Sequence, residues 1–422
     1  MKKLFLFIVA CSVCALVQGQ SVVEQKEKIE DYHPELGYFQ KAQTDLGDPR
    51  FMITDNTGKF VFGLGATFHM TGYFDFAGSI RDYTFKPSLI SIPTYEPQHL
   101  GFTMSNTEFH IKAKSYLGKH RLIAYLQINN KAKEWGTNDI RLQQAYISWN
   151  NFSVGRTYSF FMDLEAGPMT VDLQGPNTQI SRTHNLIGYT LPLGQHWTIA
   201  AALEAPHTIG ESYQKYNVSS DYNQFPDLAA HLKYRGDKGH IQGGMILRQV
   251  SYWASNTGFS VASDGVTKYV SGYGFSLSGN FTPSSKLTFS AQGIWGKGIS
   301  YYIQDLAGLG LSLGMEDTLD GQGYPTLQPL AVSGGYASVS YKWTDSIRSS
   351  AVYGICRLDN RGLYAADPFK RSDYLAANIF YYFSANCFFG MEYLYGRKFI
   401  YASEDEDRGV ANRLNACLCY RF

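Results

Sequence analysis

Along most of this chain apolar and polar residues alternate one by one, the period of an extended strand whose side chains point to opposite faces in turn. In "KFVFGLGATFHMTG", Phe60, Phe62, Leu64, Ala66, Phe68 and Met70 share one face, and Gly63, Gly65, Thr67, His69 and Thr71 the other. "KLTFSAQGIW" sets Leu287, Phe289, Ala291, Gly293 and Trp295 against Lys286, Thr288, Ser290 and Gln292. The chain ends mid-pattern on "LNACLCYRF", where Leu414, Ala416, Leu418, Tyr420 and Phe422 oppose Asn415, Cys417, Cys419 and Arg421. Sixteen such stretches fall near 60–76, 102–117, 119–130, 139–150, 152–160, 180–191, 196–204, 227–236, 239–253, 268–281, 284–297, 334–344, 347–358, 372–384, 386–400 and 408–422. Most run about 9–15 residues, long for globular strands but suited to crossing a bilayer at a tilt.

The connections sort into two kinds. Short turns at Gly118, Asn150-Asn151, "PLGQ" (192–195), "GDKG" (236–239), "TPSS" (282–285), Thr344-Asp345 and Ser384-Ala385 alternate with long segments near 77–101, 131–138, 161–179, 205–226, 254–267, 298–333, 359–371 and 401–407. Strict long–short alternation predicts an all-β fold: a transmembrane antiparallel β-barrel of about 16 strands with long extracellular loops and short periplasmic turns. In such a barrel the last strand pairs with the first, so no edge is left in lipid. The barrel then occupies 59–422, and residues 20–58, different in character, form a periplasmic N-terminal segment.

Composition agrees with export and with strands. Residues 1–19 read as a signal peptide: Lys2 and Lys3, an apolar run from Leu4 to Val17, then small and polar residues. No later apolar stretch reaches the 18 or so residues of a transmembrane helix. Aromatics make up 15% of the chain and charged residues only 17%, which is low against about 25% in soluble domains. Without Lys2 and Lys3 the 35 basic residues face 36 acidic ones, so no nucleic-acid partner is implied. Cys356, Cys387, Cys417 and Cys419 remain after the leader, too few for a disulfide scaffold and without a zinc-type CxxC pair.

A barrel of this size leaves a water-filled lumen, and selectivity then depends on the charges lining it and on any loop narrowing it. Polar faces of the strands place Lys112, Lys233 and Arg248 deep on the wall, with Glu108 as the main acid. Cations near short turns, such as Arg235 and Lys286, are expected to decorate the periplasmic rim. Segment 161–179, "FMDLEAGPMTVDLQGPN", is the candidate constriction loop, flanked by Arg156 and Arg182 and carrying Asp163, Glu165 and Asp172. Acids on that loop facing bases on the wall would set up a transverse field. Phe422 and Tyr420, at the end of the closing strand, are expected to serve as an assembly signal for the barrel-assembly machinery. No GxSxG elbow, HExxH or P-loop occurs, so neither catalysis nor a cofactor or metal is expected.

Several stretches resemble the DcaP-like trimeric porins, relatives of the phosphate-selective group. "DNTGKFVFGLGATFHMTGYFDF" resembles their first strand, "YISWNNFSVGRTYSFFMDLEAGPMTVDLQGPN" the strand pair entering the constriction loop, and "FPDLAAHLKYRGDKGHIQGGMILRQV" a central hairpin. "FFGMEYLYGRK" resembles a hairpin near the end, so the likeness spans roughly 55–422. The resemblance implies a homotrimer in the outer membrane of a Gram-negative bacterium, in contact with outer-membrane lipid. The expected function is passive diffusion of small hydrophilic solutes, anionic ones foremost. The alternative is a structural barrel whose long loops bind ligands or glycans.

Overall fold

The computed structural model describes residues 51–422 apart from 56–58, 81, 95–97, 119, 133–137, 207–211, 214–217, 221–223, 256–264, 362, 364–367 and 402–407. The expected leader 1–19, most of the segment 20–58 and the acids of 404–407 lie outside the described residues. Sixteen antiparallel strands form the wall: β1 (Phe60–Ala77), β2 (Glu108–Leu117), β3 (His120–Ala132), β4 (Asn138–Trp149), β5 (Phe152–Tyr158), β6 (Thr183–Leu193), β7 (Trp197–Glu204) and β8 (Asp227–Gly236). They continue as β9 (Gly239–Ser255), β10 (Gly265–Ser284), β11 (Leu287–Lys297), β12 (Ala331–Lys342), β13 (Ile347–Asp359), β14 (Phe369–Ser384), β15 (Cys387–Ile400) and β16 (Arg408–Arg421). Each pairs with its sequence neighbours, and β16 returns to β1, so the sheet closes. Every expected stretch is a strand.

The differences lie at the ends of the elements. The second stretch breaks into His99–Thr103 and β2, because Asn106 takes a left-handed φ of 68° and interrupts the ladder. Residues 180–182, expected in β6, belong instead to the loop before it, where Ile180 bridges to Ile303. The long segment before β12 contains a hairpin of its own, Leu313–Leu319 with Pro325–Pro329. The strand Phe51–Thr54, too short to show an alternation, pairs with Val61–Leu64 of β1.

The alternation divides the two solvents. Phe68, Met70, Leu277, Phe289, Ile379 and Phe383 project outward and are exposed, an apolar belt for lipid. Their neighbours Thr67, His69, Ser278, Ser290 and Asn378 face inward and are buried. The hydrophobic core therefore lies inside the barrel, between its wall and loops folded against it, as where Phe161, Ile180, Tyr302 and Ile303 pack on Ile246 and Ile294. Cys417 and Cys419 face inward, against Met169, Val171 and Phe388, and among the described residues Cys356, Cys387, Cys417 and Cys419 are free thiols.

Phe422 completes the seam. Its N–H donates to Ala66 O at 3.0 Å, its carbonyl accepts from Ala66 N at 3.1 Å, and its ring stacks on Phe68. Unpaired backbone groups in lipid cost several kcal/mol each. Deleting Phe422 is therefore expected to lower the amount of heat-modifiable barrel in the membrane several-fold while leaving unit conductance unchanged. Immunoblots of boiled and unboiled membranes read the first quantity, and wild-type levels of the deletion would refute it.

Candidate functional site

Residues 159–182 leave β5 and run along the inside of the wall before entering β6. Strand after strand holds their backbone. Phe160 N donates to Glu204 of β7 at 2.8 Å, and His231 of β8 bonds to Phe160 O at 2.6 Å. Gln242 of β9 donates to Met162 O, Tyr336 of β12 to Ala166 O, Ser350 of β13 and Asn378 of β14 to Met169 O, and Gln292 of β11 to Thr178 O. Glu392 of β15 accepts from both Val171 N, at 3.0 Å, and Asp172 N, at 2.6 Å. The inward-folded loop thus lies against β7–β15, touches β16 through Cys417 and Cys419, and leaves the inner face of β1–β4 as its opposite shore.

Two more loops lock over it. In the loop before β2, Phe85 N donates to Asp172, and Ser88 N donates to the Asp305 carboxylate at 3.0 Å. Asp305 belongs to the loop between β11 and β12, and also accepts from Ser372 of β14 at 2.6 Å. Gln174 and Gln304 exchange side-chain bonds to each other's carbonyls. The first loop is fixed in turn by Arg413 of β16, whose guanidinium grips Asp75 at 2.6 and 3.0 Å and lies 4.5 Å over the Tyr73 ring.

The expected acids are held in two ways. Asp163 accepts from His240 at 2.7 Å and Ser278 at 2.8 Å, with Lys233 at 3.4 Å. Glu165 takes Lys233 at 3.0 Å and closes on Arg235. Instead of facing bases across open water, these acids contact them, so the expected transverse field is spent on docking the loop. Arg235, expected on the rim, is part of that anchor. Burial opposes the charge on Asp163 and Glu165, but the bonds from His240 and the nearby Lys233 outweigh it and hold both carboxyls below the usual range. A carboxyl lowered in this way stabilises the fold above about pH 4 and loses that contribution only as pH falls through its folded value. The anchor should survive mild acid.

Asp172 is the opposite case. Burial, then the neighbouring Glu392 carboxylate, pushes it up to about 8. A raised carboxyl keeps its proton where the unfolded chain has lost it, so its contribution to stability declines from about pH 4 upward and is exhausted near 8. Between pH 7 and 9 Asp172 should lose its proton beside the Glu392 carboxylate, and repulsion between the two should loosen the loop's hold on β15. Current noise in single-channel traces is expected to grow over that interval and to stay flat in Asp172→Asn; a flat wild-type trace would refute the assignment.

The cations separate by phase. Lys112 faces inward with Tyr125, on the free shore. Arg248 faces inward but its side chain is 2% exposed, 3.6 Å from Asp227 and donating to Gly298 O, with Tyr301 and Tyr302 beneath it. Arg182 donates to Tyr301 O at 2.5 Å and lies 5.1 Å over that ring. Arg156, expected on the lumen wall, sits in register with Ala145 and Asn185 and so shares the lipid-facing phase of Phe152 and Val154. It donates to Leu142 O and Thr183 Oγ1. Arg141 does point inward, opposite Asn129, to which it donates at 3.2 Å. A bulge between Gln144 and Leu142 shifts the phase of β4 there, which simple alternation misses.

A family model described as the porin subfamily matches residues 62–412. No curated protein matches the chain in sequence. Among solved structures, the outer membrane channel DcaP of Acinetobacter baumannii superposes with a TM-score of 0.71 at 16% identity, over 87% of this chain and 99% of that one. An anion-selective porin from Comamonas acidovorans gives 0.55 at 9% identity, over 86% and 100%. The trimer form of OmpT from Vibrio cholerae gives 0.52 at 13%, over 86% and 99%. At such identities the likeness is one of fold.

Proposed function

The chain belongs to the porin subfamily and has the fold of its outer-membrane channels, and from that premise we propose that it passes small hydrophilic solutes with a preference for anions. The observation that carries this reading is the free shore. Lys112 and Lys114 of β2, Arg141 of β4, Arg421 of β16 and Arg182 at the loop's end reach toward the lumen, against the acids Glu108 of β2 and Asp139 of β4. Glu108 is itself engaged, accepting from Gln127 and Thr67. Among the described residues no acid lies within salt-bridge distance of Arg141 or Arg182. Acids of the inward-folded loop are matched by Lys233, Arg235 and His240 on the other wall, so the excess of basic over acidic residues borders the open side.

An anion entering this path leaves bulk water for a narrow aqueous strip where charge is poorly screened. Guanidinium forks and ammonium groups there replace part of its hydration. The likeness to the trimer form of a porin supports a homotrimer, and the pairing of Phe422 with Ala66 at the seam supports reading Phe422 and Tyr420 as a signal for an assembly machinery. The loop-binding alternative is less favoured, since three of the long loops fold inward.

Planar bilayers in asymmetric KCl test the reading. We expect a stable ohmic pore whose reversal potential has the sign of chloride preference at about 0.1 M salt, where the Debye length is about 10 Å. A cation-selective wild type would refute the anionic preference, and a non-conducting insertion would favour the structural alternative.

A further inference from the structure

Near the extracellular ends of β13, β14 and β15 the outward phase changes character. Tyr353, Leu375, Ile379, Met391 and Tyr393 carry the apolar belt up these strands. Beyond Ile355 of β13 and Tyr395 of β15 the outward positions are charged: Arg357 on β13, Asp373 and Arg371 on β14, Arg397 on β15. Asp373 is nearly covered, its side chain 3% exposed, with Arg371 Nη2 at 2.8 Å and Arg397 Nη2 at 2.7 Å from its carboxylate. Tyr353 Oη approaches it from the third strand at 3.5 Å. The two guanidiniums flank the Phe399 ring at 5.3 and 5.7 Å and remain 32% and 36% exposed.

One carboxylate therefore holds two guanidiniums side by side on the membrane-facing wall, and each keeps donors it does not use on Asp373, since a guanidinium carries five. Arg357 adds a third, placed directly opposite Arg371 in the strand register. Like charges directly opposite one another on a sheet repel. Three planar forks to one acid, just above an apolar belt, match a tetrahedral phosphate whose acyl chains lie along that belt. We propose that this patch binds the phosphate of an anionic, acylated lipid of the outer leaflet, with Arg371 and Arg397 as the fork and Arg357 as the outer contact. The side of the membrane rests on the porin reading above. The chemistry of the patch does not depend on ion selectivity.

The test uses the full-length barrel in phosphatidylcholine nanodiscs doped with a bisphosphorylated, acylated glucosamine disaccharide, or with its dephosphorylated form. Bound lipid is counted by native mass spectrometry. Wild type should retain the phosphorylated lipid about tenfold better than the dephosphorylated one. Arg357→Gln, which leaves the Asp373 cluster intact, should lower that ratio several-fold. Arg371→Gln with Asp373→Asn and Arg397→Gln, which removes the forks without stranding the acid, should abolish it. Inorganic phosphate at millimolar concentration should not displace the lipid, because it lacks the chains; displacement would overturn the lipid assignment in favour of a free anion. Equal retention of both lipids, or unchanged retention in both variants, would overturn the proposal. So would a change of oligomeric state in the variants with lipid retention intact, which would assign the patch to a contact between protomers. Conductance is recorded on the same samples: normal conductance with lost lipid preference supports the patch, whereas absent conductance with retained preference counts against the channel reading alone.

Discussion

Replacing Asp163 and Glu165 together by alanine is expected to raise single-channel conductance at least twofold and to lower the temperature at which the barrel loses its compact gel mobility. These two carboxylates engage Lys233, Arg235 and His240 from β8 and β9, and Ser278 from β10. Removing one side of a buried pair typically costs about 3–5 kcal/mol, since the remaining charges stay desolvated without a partner. Lys233 and Arg235, left close together without their acids, would repel, and the cheapest relief is for the loop to leave the wall. Nothing else at this end substitutes for the acids: Asn280 reaches Glu165 O, and Gln242 reaches Met162 O, each a neutral bond worth about 1 kcal/mol net. The isosteric pair Asp163→Asn with Glu165→Gln separates charge from shape and should give an intermediate conductance. Planar-bilayer recording checks both, and a double alanine variant with wild-type conductance would show that the anchor does not hold the constriction.

The second large effect concerns sign rather than size. Arg141→Ala combined with Arg182→Ala should move the reversal potential in asymmetric KCl toward cation preference, whereas Arg156→Ala should leave it close to wild type. Arg141 projects from the free shore and Arg182 stands where the loop rejoins the wall, both hydrogen-bonded to neutral groups that leave the full charge acting on the lumen. Arg156 faces the other way, beside Thr183 on the lipid-facing side. At about 0.1 M salt the Debye length, about 10 Å, is comparable with the distances across such a lumen, so the wall charges are felt; at 1 M it falls to about 3 Å and the effect should fade. A shift in Arg156→Ala equal to that of the double variant would overturn the phase assignment. No shift in the double variant would remove the two arginines from the selectivity path.

The wall was legible because a strand in a barrel repeats every two residues and its two faces meet different solvents. That signal is local and survives in "LNACLCYRF", where Leu418 and Tyr420 do face outward and Cys417 and Cys419 inward. Arg413, in the same phase as Cys417, could have been found by the same count. Arg156 points away from the lumen and Arg141 went unnoticed for definite reasons: the bulge in β4 moves Arg141 inward, and counting from Phe152 and Val154 puts Arg156 outward. The loops were legible as long segments but not in their direction of folding. Whether Asp163 meets His240 or open water depends on contacts between residues far apart in the chain, which periodicity cannot report. Arg235 illustrates this, since its nearness to a turn suggested a rim while the incoming Glu165 makes it an anchor.

Phe51–Thr54 runs along β1 in the same direction as β16 and begins almost where β16 stops. Phe422 bonds to Ala66 and Phe51 pairs with Leu64, so only the position opposite Gly65 separates the last residue of the chain from the first described one. The seam strand is thus a single stave written in two pieces at opposite ends of the sequence. Splicing the pieces through one added residue, with residues 1–50 left out, and cutting the chain instead at the turn of Ala385 and Asn386 would give a circularly permuted barrel with the ladder of the wall intact, its new termini on the short-turn rim.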